Sequence, residues 1–468
     1  MTSRSKLTSL LVLVLSAGSL AFGGCGTSAS DGDDEDGGDK KGDKGGDEAE
    51  RAPFFLPTGE ADNTAAPSVE VDADGRIHTV FPAFAGGRAY YATCASDCKG
   101  YDDVQVVRFD TDSTVANAML ALDADGRPRA LLSTFNKVYY ASCDADCGEQ
   151  ASWTMTELFD HRSDREVSGE ALALDPNGNP AFLMHTYVAY LGIGQKTPET
   201  YYVKCEGDCH DPAAWSQTKI ADQIWETSTL RFDDAGRAHV ATVAHVVNEQ
   251  NSTILTGAYV LCESGCENPD NWIGAGLEPA YQNLYEAVTI DPEISMDLTS
   301  AGGPRIAVIG QDENMQRRVV YFACDESCTA DGAFQGIVLS SGDEIGAGLD
   351  IALDSKDQPR IAYTYDYNIG LLFCDGDGCT GDNAPWDVSK VELGGEMEPD
   401  DIFLEWNCNV AAWFLHSPSV AIGPSDMPRV GYQARDISGG WENPNEDKPD
   451  CEAGTDMTWS RLALMGEI

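Results

Sequence analysis

Apolar and polar residues alternate in short runs along most of the chain, and turn-forming residues divide one run from the next. That period of two is the period of half-buried strands, and no stretch of consequence keeps the period of an amphipathic helix. One unit shows the pattern plainly. A run ending at Asp123 leads into a tight turn over 124–127, and strands are predicted over 129–135, 138–143 and 153–158. The pattern returns at intervals of roughly fifty to sixty residues, as in chains whose units stack to bury a shared core.

Two motifs mark the units. The first is a turn following a strand: Asp72-Ala73-Asp74-Gly75-Arg76, Asp123-Ala124-Asp125-Gly126-Arg127, Asp175-Pro176-Asn177-Gly178, Asp233-Asp234-Ala235-Gly236 and Asp354-Ser355-Lys356-Asp357. A fifth copy reads as broken by an insertion between Asp291 and Pro304, and a seventh is Gly423-Pro424-Ser425-Asp426. The second motif is a pair of cysteines at the end of a strand: Cys94 with Cys98, Cys143 with Cys147, Cys205 with Cys209, Cys262 with Cys266, Cys324 with Cys328, and Cys374 with Cys379. Counted by turns there are seven units, the last without a cysteine pair.

Four antiparallel strands repeated seven times, with no helix of note, predict an all-β, seven-bladed β-propeller. A β-sandwich gives no reason for such repetition. Up-and-down strand order places the turn between the first and second strands on the same face as the connection between the third and fourth. The acidic turns and the cysteine pairs then share one face. Facing positions on antiparallel strands lie within disulfide range, so each pair is expected to pin the outer hairpin of its blade. The seventh blade closes the ring, with a third strand over 458–465 and an outer strand over 54–57 supplied by the N-terminal part of the chain. Cys408 and Cys451 are expected to pair near this closure.

The sequence Pro359-Arg360-Ile361-Ala362-Tyr363 carries a resemblance. It is similar to the broad group of secreted bacterial propellers with an Asp-x-x-Gly-x-Pro-(His/Arg)-(Ile/Val)-Ala-Tyr repeat, distantly related to sialidase-like propellers. The likeness spans about residues 67 to 465 and implies the fold far more than an activity.

The first residues change the picture of compartment. Arg4 and Lys6 precede an apolar stretch over 7–20 and the sequence Ala21-Phe22-Gly23-Gly24-Cys25, which resembles a bacterial lipoprotein signal cleaved before Cys25. The expected organisation is a signal peptide over 1–24, a linker over 25–52 lipid-anchored through Cys25, and the propeller over 53–468. Residues 31–50 of the linker hold only Asp, Glu, Lys, Gly and a single Ala, too polar to bury a core, so they read as a solvated tether. The cysteine count agrees with lipidation. Of fifteen cysteines, removing Cys25 leaves an even number that can all be bonded. Exported thiols oxidise, which favours disulfides over a metal reading of the pairs. The expected location is the cell envelope, at the outer membrane or cell surface of a bacterium. With 78 acidic against 30 basic residues, nucleic acid and anionic lipid are unsuitable partners, and the membrane is met only through the anchor.

Candidate chemistry is sparse. The face opposite the cysteine pairs carries long connections over 186–200, 246–257 and 394–415, and Phe81, Phe135, His185, His245, Tyr365 and Tyr432 end second strands there. Aromatic residues in such a ring suit stacking on a sugar or gripping a peptide, and they equally suit packing between blades. Zinc at His185 and His245 needs a third ligand. Calcium at Asp72 and Asp74, or at Asp123 and Asp125, is chemically reasonable, although Asp and Gly also serve hairpin turns for their own sake. No other cofactor is indicated. A sialidase needs clustered arginines, and Arg129, Arg360 and Arg429 recur blade by blade as structural positions do. The first expectation is therefore a non-enzymatic module that binds an envelope protein or a glycan. The alternatives are a sialidase-like glycoside hydrolase or lyase, and a structural surface protein that binds divalent cations. An acid pair and clustered arginines converging at the channel mouth would mark the enzyme, and an aromatic or featureless mouth a binding module.

Overall fold

The computed structural model describes residues 51–466 except 59–62, 84–85, 135, 161–164, 189–198, 223–224, 248–252, 278–292, 312–315, 343–344, 377–378, 382–383, 398–412 and 437–456. Seven antiparallel sheets of four strands each form the β-propeller predicted from the repeat. The second blade is built from Val115–Leu122, Pro128–Thr134, Lys137–Cys143 and Trp153–Asp160. The seventh blade pairs Arg51–Phe55 as outer strand with Met457–Leu464, followed by Pro428–Asp436 and Trp413–Ile422. Chain start and chain end thus share one sheet, as expected.

The acidic turns are held by their own carboxylates. Asp123 accepts the backbone N–H groups of Asp125 at 3.0 Å and Arg127 at 2.9 Å through one oxygen, while Gly126 adopts a φ of 75° that an L side chain resists. In the sixth and seventh blades aspartates take that left-handed position, Asp357 with φ 62° and Asp426 with φ 58°. They are held there by the neighbouring blade. Asp357 accepts from the amide and hydroxyl of Ser300, and Asp426 does the same from Ser355, all at 2.7–2.8 Å. The fifth turn is present after all. Glu293–Leu298 and Pro304–Gln311 flank it, and Thr299 replaces the aspartate, its hydroxyl accepting from the Gly303 amide at 2.9 Å. A Thr at this place hid the copy from a search for Asp.

A cation or imidazole ties most turns to the adjoining connection. Arg129 donates to the carboxylates of Asp123 in the turn and Asp144 beside the cysteine pair, and to the Cys143 carbonyl. Arg360 repeats this with Asp354, Asp375 and Cys374. His78 and His239 occupy the same place in the first and fourth blades, each between a turn aspartate and a tyrosine hydroxyl. In the third blade, where Ala181 stands there, Lys204 reaches Asp175 at 3.2 Å from the next strand. The recurring arginines are structural, and turns and cysteine pairs do share a face.

Six disulfides form as expected. Their service differs from the expected cross-strand pin. Cys143 faces Trp153 in the ladder, and its bonded partner Cys147 lies in the connection between them. The carbonyl of that second cysteine accepts the indole N–H of the outer-strand tryptophan: Trp153 from Cys147 at 2.8 Å, Trp215 from Cys209 at 3.0 Å, Trp272 from Cys266 at 3.0 Å and Trp386 from Cys379 at 2.9 Å. Each indole then packs against a buried tyrosine of the preceding blade, as in Tyr91 with Trp153 at 4.6 Å and Tyr321 with Trp386 at 5.0 Å between ring centroids. The disulfide thereby fixes a contact between blades. Cys25, Cys408 and Cys451 lie outside the described residues.

Ring closure uses a different device. Arg461 is buried, its guanidinium 4.1 Å from the Phe55 ring, and it donates to both oxygens of Glu392 and to the Pro53 carbonyl. Tyr432 donates to the same carboxylate at 2.6 Å. Burial and the Glu392 charge hold this phenol well above its ordinary pKa, so it remains a donor. A charge-assisted network joins blades six and seven, where the outer strand carries no tryptophan to meet a tyrosine.

Candidate functional site

The inner strand of every blade is a sheet edge, and its unpaired amides must find partners. In five blades a residue four positions before the turn supplies them to the next blade. Ser68 accepts from Leu120, Met119 through its sulfur from Ala171, Ser295 from Ile351, Asp350 from Val420, and Ser419 from Val69, at 2.9–3.4 Å. Asp297 similarly accepts from Leu353 at 2.9 Å. These residues are thus explained as edge caps, and among the charged residues nearer the turns there are two exceptions.

The exceptions are Glu70 and Arg231. Two positions before the turn, the seven blades carry Glu70, Ala121, Ala173, Arg231, Asp297, Ala352 and Ala421. Four alanines and three charged residues share one level of the ring. Glu70 has no hydrogen-bond donor among the described residues, and Arg231 lies 3.8 Å from Asp297. Two cavities meet at this level. One of about 230 Å³ reaches toward the starts of the inner strands at Asn117, Glu293, Gly348 and Ser417. The other, about 410 Å³, opens toward the turns at Asp72, Asp123 and Gly126. Glu70, Leu172 and Arg231 line both.

This setting changes the acidity of the carboxyls. Burial within the ring pushes Glu70 up to about 7; Arg231 opposes the shift, and the negative charges of Asp350 and Asp297 add to it. Burial also raises Asp350, against the donated hydrogen bonds of Ser295, Val420 and Ile351 and the charge of Arg231. Two carboxyls of raised pKa therefore line the smaller cavity. Such a pair holds a proton near neutrality, and the three donors on Asp350 favour the charge there and the proton on Glu70.

The residues picked out from sequence lie elsewhere. Phe81, His185 and Tyr432 are fully buried. Phe81 stacks on Tyr90, and His185 bridges Thr200 and Glu170 at 3.0 and 2.6 Å. Tyr365, partly exposed, stacks on Tyr363. His245 belongs to the strand Ala238–Val247, and Phe135 lies outside the described residues. Much of the predicted long connections is strand instead, with Pro180–Val188, Thr253–Cys262 and Trp413–Ile422 extending into them. Gly394–Glu396 forms one turn of 3-10 helix, and the stretches 189–198, 248–252 and 398–412 are outside the described residues.

The acidic turns offer little to calcium. Asp123 already takes two amides and the guanidinium groups of Arg127 and Arg129; Asp125 meets Arg127 at 3.0 Å. Asp72 takes the amides of Asp74 and Arg76 and the His78 ring. Asp74 supplies its amide to that turn. Among the described residues no three His, Cys, Asp or Glu side chains converge as a metal site.

No protein-family model matches the chain, and no curated protein sequence matches it. Solved structures do. The chain is similar to the polysaccharide lyase Uly1 with a TM-score of 0.47 and 9% identity, over 88% of this chain and 92% of that one. It is similar to a Penicillium chrysogenum α-L-arabinanase complexed with arabinobiose, with a TM-score of 0.42 and 11% identity over 73% and 97% of the two chains. A Fusarium graminearum α-L-arabinofuranosidase gives 0.42 and 9% over 73% and 98%. At these identities the likeness speaks to the fold. The expectation of a non-enzymatic binding module is nevertheless corrected. Among the described residues the channel lining holds carboxyls and a single arginine, not an arginine cluster, while the solved propellers named here are described as a polysaccharide lyase, an arabinanase and an arabinofuranosidase.

Proposed function

We propose that the chain is a glycan-processing enzyme, a glycoside hydrolase or lyase, with its chemistry in the central channel and Glu70 as the proton carrier. One observation carries this reading: Glu70 is a channel-lining carboxyl near pKa 7 that caps no strand edge and lines the same cavity as a second carboxyl, Asp350. General acid–base catalysis asks for a group whose pKa lies near the working pH. A purely structural residue at this level is Ala in four blades, so a half-buried carboxyl there is a departure needing another reason. Arg231 is the one arginine lining the two cavities, which disfavours a sialidase and its arginine cluster.

The enzyme would work at the cell envelope, held by lipid on Cys25 with residues 25–52 as its tether. The test is a screen of the full chain against polysaccharides and oligosaccharides, read by reducing-end release and by absorbance of unsaturated products. Turnover that Glu70→Gln removes supports the reading. A correctly folded protein that turns over none of them sinks it.

A further inference from the structure

Resting on that reading, we infer that the channel takes an uncharged sugar at a chain end and cleaves it by hydrolysis, and that it rejects uronate and sulfated glycans. The charge of the lining carries the first half. Glu70, Glu293 and Asp350 line the smaller cavity, and Glu70, Asp72 and Asp123 the larger. Arg231 is the one cationic side chain lining either, and its guanidinium already sits 3.8 Å from Asp297. Asp123 is met by Arg127 and Arg129, but those cations are spent on the turn. The chain as a whole carries a net charge of −48. A second anion in a channel of this sign meets repulsion strengthened by the low-dielectric walls. A lyase must neutralise the carboxylate of its uronate to make the adjacent C–H acidic, and no uncommitted cation lines these cavities among the described residues.

Enclosure carries the second half. The lining of the smaller cavity draws on all seven blades: Ser68, Asn117, Leu172, Thr229, Ile294, Asp350 and Ser419 each come from a different one. Walls on every side admit a chain by its end, whereas an open cleft would admit its middle. With the proton on Glu70 and the charge on Asp350, the step balances as hydrolysis. Glu70 gives its proton to the glycosidic oxygen, which keeps the electron pair of the breaking bond to the anomeric carbon. Solvent water adds its oxygen to that carbon and yields a proton to Asp350, and solvent exchange returns the proton to Glu70. One water is consumed and two sugars with free hydroxyls leave.

The experiment gives the full chain a set of p-nitrophenyl glycosides of neutral hexoses and pentoses, p-nitrophenyl glucuronide, and neutral and uronate oligosaccharides. The expected result is turnover of a neutral glycoside, single sugars released from oligosaccharide ends, and rates on the uronates lower by at least about 100-fold. Glu70→Gln should lower kcat by about 100-fold or more with KM little changed. Turnover confined to uronate or sulfated substrates overturns this inference while glycan processing stands. Release from the middle of chains overturns the end-on mode. Absence of turnover on every glycan, by folded protein, overturns both readings together.

Discussion

The phenol ring of Tyr140 and the indole of Trp215 meet edge to face across the seam between the second and third blades, with centroids 5.4 Å apart and planes at 64°. The same contact joins Tyr202 with Trp272 at 5.1 Å, and Phe334 takes the indole's place against Tyr259 at 5.3 Å. Where the sixth blade has Leu371 in the tyrosine position, the seventh has neither a cysteine pair nor a tryptophan on its outer strand. Tyrosine and the facing aromatic ring come and go together, whereas the first blade keeps its disulfide Cys94–Cys98 with no tryptophan in its outer strand Gln105–Asp110. Trp215→Ala should cost about 3–5 kcal/mol in denaturant unfolding, and Trp215→Phe about 1 kcal/mol, since blade five already uses Phe there. Equal losses from the two would show that the ring contact itself contributes nothing.

The disulfides should be felt across blade boundaries. Removing Cys143 and Cys147 together, as Cys143→Ser with Cys147→Ser, frees a short loop worth about 2 kcal/mol by chain entropy alone. The loss should also loosen Trp153, whose indole N–H bonds the Cys147 carbonyl and whose ring packs on Tyr91. A double-mutant cycle against Tyr91→Leu should then give a coupling of about 0.5–1.5 kcal/mol. Strict additivity would reduce the disulfide to a local staple.

Closure of the ring rests on Glu392 and Arg461. Substituting Glu392→Gln removes the charge facing the buried Arg461 guanidinium and leaves one oxygen where Arg461 and Tyr432 now share two, at a cost of about 3–5 kcal/mol. Because Arg461 also holds the Pro53 carbonyl and covers Phe55, the strand Arg51–Phe55 should open first. Hydrogen exchange of the Phe54 and Phe55 amides reads this directly. Unchanged protection in the variant would locate closure elsewhere.

The architecture was legible because a period of two and a repeated turn are local signals, written into every unit. The N-terminal outer strand could be placed because the seventh unit visibly lacked one. The fifth turn was missed because Thr299 does with a hydroxyl what the other turns do with a carboxylate. The proposed channel site is not legible in any one unit, for a deeper reason. Attention went to aromatics at strand ends such as Phe81 and Tyr432, which the propeller buries as packing. Glu70, Arg231 and Asp297 look unremarked in any one strand, since an acid or arginine in a half-buried strand is ordinary. They stand out only when the seven inner strands are laid side by side and four of the equivalent positions read Ala.

Glu70 should link activity and stability to pH in opposite senses on removal of its charge. Its pKa rises from the ordinary 4.5 of a glutamate to about 7 because burial disfavours the anion, with Arg231 opposing the shift and Asp350 and Asp297 adding to it. Glu293 also faces the cavity, and no further titratable side chain lines its smaller part. As proton donor Glu70 acts in its neutral form, so kcat/KM should fall tenfold per pH unit above about 7. For stability the sign follows from proton binding. Between pH 4.5 and about 7 the folded state keeps a proton that the unfolded state releases, so the stabilisation present below 4.5 is lost as pH climbs through 7. Glu70→Gln carries no charge at any pH and should escape that loss. Wild type and variant should match near pH 4, and the variant should be more stable by about 2 kcal/mol at pH 8, while being catalytically inert. Unfolding curves at the two pH values decide the matter: if the two proteins run parallel, Glu70 ionises freely in solvent and cannot be the buried acid on which hydrolysis depends.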